Sequence, residues 1–226
     1  MGRGALHPAL PADAAAAASA RAKDVLLCET ANPIATGMRM SWRSGSWIGE
    51  PHLGAAALIC FEWLQRPENV LTGKITWPDY RGPEHPKHVR ILHHKTGEVV
   101  LQPLQDGERS LYPELEAYLQ SLPRLGTPIV VTKGSRGPSR PYAMVYAQAR
   151  VRQARTLAGL ADHVTLDACR HGGMTELGDA KLAEQGVMAL SGHKTPQAAR
   201  LYVKRTDVQR VAAARKRRSW VDKEDV

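Results

Sequence analysis

Leu166-Asp167-Ala168-Cys169-Arg170-His171-Gly172-Gly173, followed by Leu190-Ser191-Gly192-His193-Lys194-Thr195-Pro196-Gln197-Ala198-Ala199-Arg200-Leu201-Tyr202, is the stretch that decides how this chain reads. A guanidinium, an imidazole and a phenol stand at intervals of 23 and 9 residues, at Arg170, His193 and Tyr202. Arginine grips non-bridging phosphate oxygens as a bidentate fork. Histidine adds a directed hydrogen bond. A tyrosine oxygen is a nucleophile that leaves a covalent phosphoester. The pattern predicts a helix over Asp167–Leu177 presenting Arg170 and a second over Leu182–Leu190 ended by Gly192. A third is capped by Thr195, has Pro196 at its first position and carries Tyr202.

Bulk properties agree with a polyanionic partner. The 226 residues carry 31 Lys and Arg against 22 Asp and Glu, a formal charge of +9; the pI is about 9.7. That sign favours nucleic acid or an acidic surface. Hydrophobic residues make up 43%, enough for a packed core. No apolar run is long enough to span a bilayer, and the Ala14–Ala18 run lacks a signal peptide's order of parts. Cys28, Cys60 and Cys169 are odd in number and unclustered. They read as reduced thiols of a cytoplasmic protein, not as a disulfide frame or zinc site.

Working outward, residues 1–48 are Ala-rich and low in complexity, and read as a disordered or remnant arm. Helical spacing begins at His52 and runs to Leu64. Ile75-Thr76-Trp77 and Ile129-Val130-Val131 read as short strands. Val89–Leu92 and Val99–Leu101 flank Lys95-Thr96-Gly97-Glu98, a hairpin whose Gly takes a positive φ. Leu111–Leu122 is amphipathic and is stopped by Pro123. Pro141–Gly159 reads as a helix with Pro in its first turn. Lys133–Arg140 is a basic loop, and Arg215-Lys216-Arg217-Arg218 makes the C-terminal stretch strongly basic; both suit sequence-independent phosphate contact. His85, His88, His93 and His94 are close in sequence but lack metal-ligand spacing, the last pair facing opposite sides of a strand. Cys169 reads as a buried thiol. No cofactor or metal motif is present.

The two quoted boxes resemble those of the tyrosine recombinases, or phage integrases. The resemblance covers about Pro51–Arg210. It implies a mostly helical α+β catalytic domain with a small antiparallel sheet, over residues 49–210, followed by a basic tail at 211–226. It implies a site of Arg66, Lys95, Arg170, His193 and Tyr202. Arg66 lies in Glu62-Trp63-Leu64-Gln65-Arg66-Pro67-Glu68-Asn69, a first box that ends a helix with Arg and runs on to Trp77-Pro78-Asp79. Glu68 or Asn69 holds the place of that box's acidic neighbour. Lys95 is the hairpin lysine. By resemblance, Tyr202 attacks a DNA phosphodiester, forms a 3′-phosphotyrosyl link and releases a 5′ hydroxyl, with no cofactor. Double-stranded DNA is the implied partner and a homo-tetramer the implied assembly, exchanging a C-terminal segment.

Two departures stand out. The second box usually begins with His three residues before its Arg; here that residue is Asp167. A carboxylate beside a phosphate is repulsive unless turned away or protonated, so Asp167 is expected to cap the helix of Arg170, with His171 or His163 available as the imidazole. The first 48 residues are also too short for the helical DNA-clamping domain that precedes such catalytic domains. The alternative expectation is thus a truncated or decayed integrase that binds DNA without cutting it; a basic scaffold without DNA chemistry is the remaining rival.

Overall fold

The computed structural model describes residues 50–95, 97–132, 137–157, 159–200 and 206–224. The expected arm at 1–48, the start of the basic loop at 133–136 and Tyr202 itself fall outside the described residues.

A buried helix organises everything else. α1 (Pro51–Glu62) starts with Pro at its first position, where no amide hydrogen is needed. Its residues from His52 to Phe61 are all buried. The run Gly54-Ala55-Ala56-Ala57 is small enough for neighbours to approach on every side, so this helix has no solvent face. The helical spacing of the sequence is therefore real, but it marks the centre of the core and not one apolar stripe. α1 ends at Glu62, and Leu64 takes a positive φ of 55° in the turn that follows. Arg66 thus does not end a helix. It is the extended N-cap of α2 (Pro67–Leu71), because Pro67 disfavours helical backbone at the residue before it.

β1 (His88–Leu92) and β2 (Val99–Pro103) pair antiparallel, with Ile91 opposite Val100 and Leu92 opposite Val99. Val89 and Ile91 are buried while Arg90 is exposed, which is the alternation of a half-buried sheet. Gly97 takes φ +68° in the connecting turn. A second, shorter hairpin, β3 (Gln105–Asp106) with β4 (Arg109–Ser110), turns at Gly107, φ +58°. Neither Ile75–Trp77 nor Ile129–Val131 is a strand. They meet through the bridge Thr76–Pro128 and two backbone bonds, Ile129 N to Ile75 O and Trp77 N to Thr127 O. Pro78 and Pro128 lack the amide hydrogens that would extend this ladder.

α3 (Pro113–Ser121) buries Leu115 and Leu119 against α1. α4 begins at Met144, not at Pro141, and runs to Leu157. Tyr142 precedes it, buried, with its hydroxyl donating to Glu50 Oε2 at 2.6 Å. α5 (Leu166–Asp179) lies across α1. α6 (Glu184–Ser191) closes on Gly192, which takes φ +68° and donates its N–H to Met188 O, as a C-terminal glycine should. α7 (Pro196–Arg200) follows. α8 (Asp207–Glu224) contains the basic run and is held to α5 by Gln209 Nε2 and Thr206 Oγ1, both donating to Asp179 Oδ1. No described helix is long and apolar enough to cross a membrane.

The α1–α5 crossing depends on one residue. A Cβ at Gly173 would sit 2.2 Å from the Phe61 carbonyl oxygen and 2.7 Å from Leu64 Cδ2. The oxygen belongs to a buried backbone and cannot rotate away. Gly173→Ala should gain about 1 kcal/mol of helix propensity and lose about 3 kcal/mol to overpacking. The expected net is a Tm lower by about 4–8 °C, read by thermal unfolding. A Tm at or above that of the parent would contradict this packing.

Candidate active site

The α1–α5 crossing places Arg170 beneath a cleft of about 840 Å³. Arg66, Lys95, Arg170 and His193 all line it, each from a different part of the fold. Arg66 comes from the start of α2, Lys95 from the β1–β2 turn, Arg170 from α5, and His193 from the turn after α6. The four residues expected from scattered sequence boxes, over a span of 128 positions, therefore converge. Tyr202, the fifth, lies two residues beyond the end of α7 and outside the described residues.

Arg170 is 4% exposed. Its Nη2 donates to Ser191 O at 3.4 Å and lies 3.4 Å from His193 Nε2. Ser191 Oγ gives its one proton to Val187 O at 2.6 Å. Its 2.7 Å contact with His193 Nδ1 must then have the ring donating. His193 is thereby held as the Nδ1–H tautomer, with the Nε2 lone pair facing Arg170. Burial, then Arg170 and Arg66, hold the imidazole down to about pKa 4. A phosphoryl oxygen between these groups would reverse the last two effects, letting Nε2 take a proton and donate.

The sign of the pH effect follows. The unfolded chain binds protons at His193 near pH 6.5, and the folded chain only near 4, so acidification through that interval removes stability. His52 and His93, also lowered mainly by burial, act in the same direction. Urea midpoints should fall from pH 7 to pH 4.5, with a shallower slope in His193→Gln. An equal slope in the two proteins would contradict the assignment.

The second box is corrected in one respect. The cap of α5 is Thr165, whose Oγ1 accepts from Ala168 N at 3.1 Å; Asp167 is not the cap. Asp167 sits in the first turn, favourable to the helix dipole, and its Oδ2 lies 3.0 Å from His171 Nε2 one turn on. Asp167 lines the cleft, whereas neither His171 nor His163 does. The imidazoles that line it, besides His193, are those of His93, half-buried, and His94, exposed. His93 and His94 lie just past β1, not on it. The sequence signal for His93 is its place two residues before Lys95, at the mouth of the hairpin turn. Asn69, in the first box, is buried and ties the parts together: its Oδ1 accepts from His94 N at 2.7 Å, joining the hairpin to α2 beside Arg66. On the opposite rim, Lys194 Nζ reaches Glu98 Oε2 at 3.3 Å. Cys169 is buried, and its thiol pKa is driven far up by desolvation. Among the described residues no His, Cys, Asp and Glu group has the arrangement of a metal site.

The lambda integrase catalytic core aligns with 73% of this chain and 96% of its own length, with a TM-score of 0.54 at 16% identity. This is the fold of a tyrosine recombinase catalytic domain. The XerA recombinase matches over 80% of this chain and 61% of its own, with a TM-score of 0.60 at 12% identity. A lambda integrase dimer bound to a COC′ core site matches over 74% of this chain and 57% of its own, with a TM-score of 0.56 at 17% identity. A lambda integrase tetramer bound to a Holliday junction gives 0.58 over 47% of that chain. The chain thus spans about half the length of these longer integrase chains. No family model matches the sequence, and no curated protein is similar to it in sequence. At these identities the likeness is one of fold. Within that tyrosine recombinase fold, the cleft sits where the first box, the hairpin and the second and third boxes face one another.

Proposed function

We propose that this chain is the catalytic part of a site-specific DNA recombinase that cuts and rejoins strands through Tyr202. One observation carries the reading: Arg66, Lys95, Arg170 and His193 line a single cleft. Three cationic side chains and an imidazole facing one cleft form a site for an anion, and a phosphodiester is the anion that a tyrosine oxygen can attack. The fold neighbours add support, since the XerH recombinase and lambda integrase structures are DNA complexes.

In this mechanism Arg66 and Arg170 bind the non-bridging oxygens, and His193, protonated as the anion arrives, donates a third hydrogen bond. These contacts strengthen as the pentacoordinate phosphorus gains negative charge, so they lower the barrier more than they tighten the ground state. Tyr202 gives its proton to solvent water as its oxygen bonds to phosphorus. The bond from phosphorus to the 5′ oxygen breaks, and Lys95 gives that oxygen a proton. The 5′ hydroxyl of another strand then reverses the chemistry, giving exchange without an energy source. Double-stranded DNA is the substrate, and the working assembly is a homo-tetramer spanning two duplexes. The basic run of α8 contributes sequence-independent contacts.

A second reading is favoured by Asp167, whose carboxylate lines the cleft in the place of an imidazole: a protein that holds DNA and does not cleave it. Nicked duplexes separate the two. Covalent capture of DNA supports the recombinase, and salt-sensitive binding with no capture supports the binder.

A further inference from the structure

The cleft is lined by two imidazoles that the mechanism has not used, the half-buried His93 and the exposed His94. His93 follows β1 directly, and its backbone is fixed from three directions. Its N–H donates to Glu98 O at 2.8 Å, its carbonyl accepts from Gly97 N at 2.8 Å, and the next N–H is anchored on Asn69 Oδ1 at 2.7 Å. The ring is half-buried and lines the cleft with Arg66, Arg170 and His193. Its Cε1 stands 3.9 Å from where a Cβ on Gly192 would project, so the ring crosses toward the turn that carries His193. Burial is the main cause of its lowered basicity; Glu98 opposes this, and Arg170 and Arg66 add to it. A half-buried ring that shares a cleft with two guanidiniums gains a partner once a negative group enters.

We propose that His93 is a phosphoryl-contacting catalytic residue, donating a hydrogen bond from the hairpin side of the cleft to a non-bridging oxygen. The inference rests on the recombinase reading for its substrate and on the hairpin geometry for its residue. It gives the cleft a second imidazole donor although the second box begins with Asp167. The charged and titratable groups that share the cleft with it are His94, Lys95 and Glu98 on the hairpin, Arg66 and Glu68 at α2, Asp167 and Arg170 on α5, and His193 and Lys194 after α6. With the phosphate bound, anionic charge opposes the arginines and favours the donor form.

A structural role as a spacer against Gly192 makes different predictions. His93→Phe keeps a flat ring there and removes the N–H; His93→Gln returns a donor. At saturating DNA, His93→Phe should form the covalent adduct about 10²-fold more slowly than the parent at similar Tm, the usual loss for one transition-state donor. His93→Gln should recover about tenfold of that, with DNA affinity little changed in either variant. Adduct formation by His93→Phe at the parental rate overturns the proposal. A second measurement needs no cleavage: side-chain ¹⁵N NMR of histidine-labelled protein titrated with inorganic phosphate. Movement of the His93 ring nitrogens toward the protonated position, lost in Arg170→Ala, supports the contact even if the parent cuts no DNA, which would count against the recombinase reading alone. His93 signals that stay fixed under phosphate overturn it.

Discussion

Arg170→Ala should lower the rate of covalent DNA capture by about 10³-fold at saturating DNA, the upper end of what one donor to a developing oxyanion supplies. The size follows from where the guanidinium sits. Arg170 is 4% exposed, against the back of the cleft, so water screens its field weakly. Arg66 is an exposed helix cap, and its loss should cost about 10²-fold. Arg170→Lys keeps the charge but loses the planar fork and so should recover little. The variant must also be shown to fold, because Arg170 donates to Ser191 O and thereby ties α5 to the end of α6. A Tm within a few degrees of the parent, together with the lost rate, assigns the effect to chemistry. Cleavage within threefold of the parent would remove Arg170 from the mechanism.

How far the sequence could be read depended on whether a signal was local. The β1–β2 hairpin was legible because alternating residues and Gly97 sit next to one another in the chain. The end of α6 was legible because only Gly192 could take the left-handed backbone there. Arg170 and His193 were legible as a pair because their spacing is carried by one helix, one turn and a second helix. What the sequence hid was set by partners far away in the chain. The helical spacing of α1 was legible but its full burial was not, because α5 packs onto it through Gly173 from far along the chain. Ile129–Val131 looked like a strand, yet Pro128 and Pro78 prevent a ladder with Ile75–Trp77. Asp167 looked like a cap because carboxylates cap helices, but Thr165 stands two residues earlier with its hydroxyl on Ala168 N. His93 lines the site where Asn69, 24 positions before it, accepts from His94 N and joins the hairpin to α2.

The chemistry assigned to this cleft ends in a covalent bond between Tyr202 and a 3′ phosphate. The most direct test is capture on duplexes nicked near the cleavage position, in which a short 5′-hydroxyl fragment diffuses away and the reverse reaction is lost. Because the target site is open, the duplexes carry a randomised sequence around the nick. The expected result is a protein–DNA adduct stable to denaturation, absent in Tyr202→Phe, with the nucleotide mass on the peptide containing Tyr202. Tight DNA binding with no adduct in any member of the pool, or an adduct that persists in Tyr202→Phe, would contradict the account.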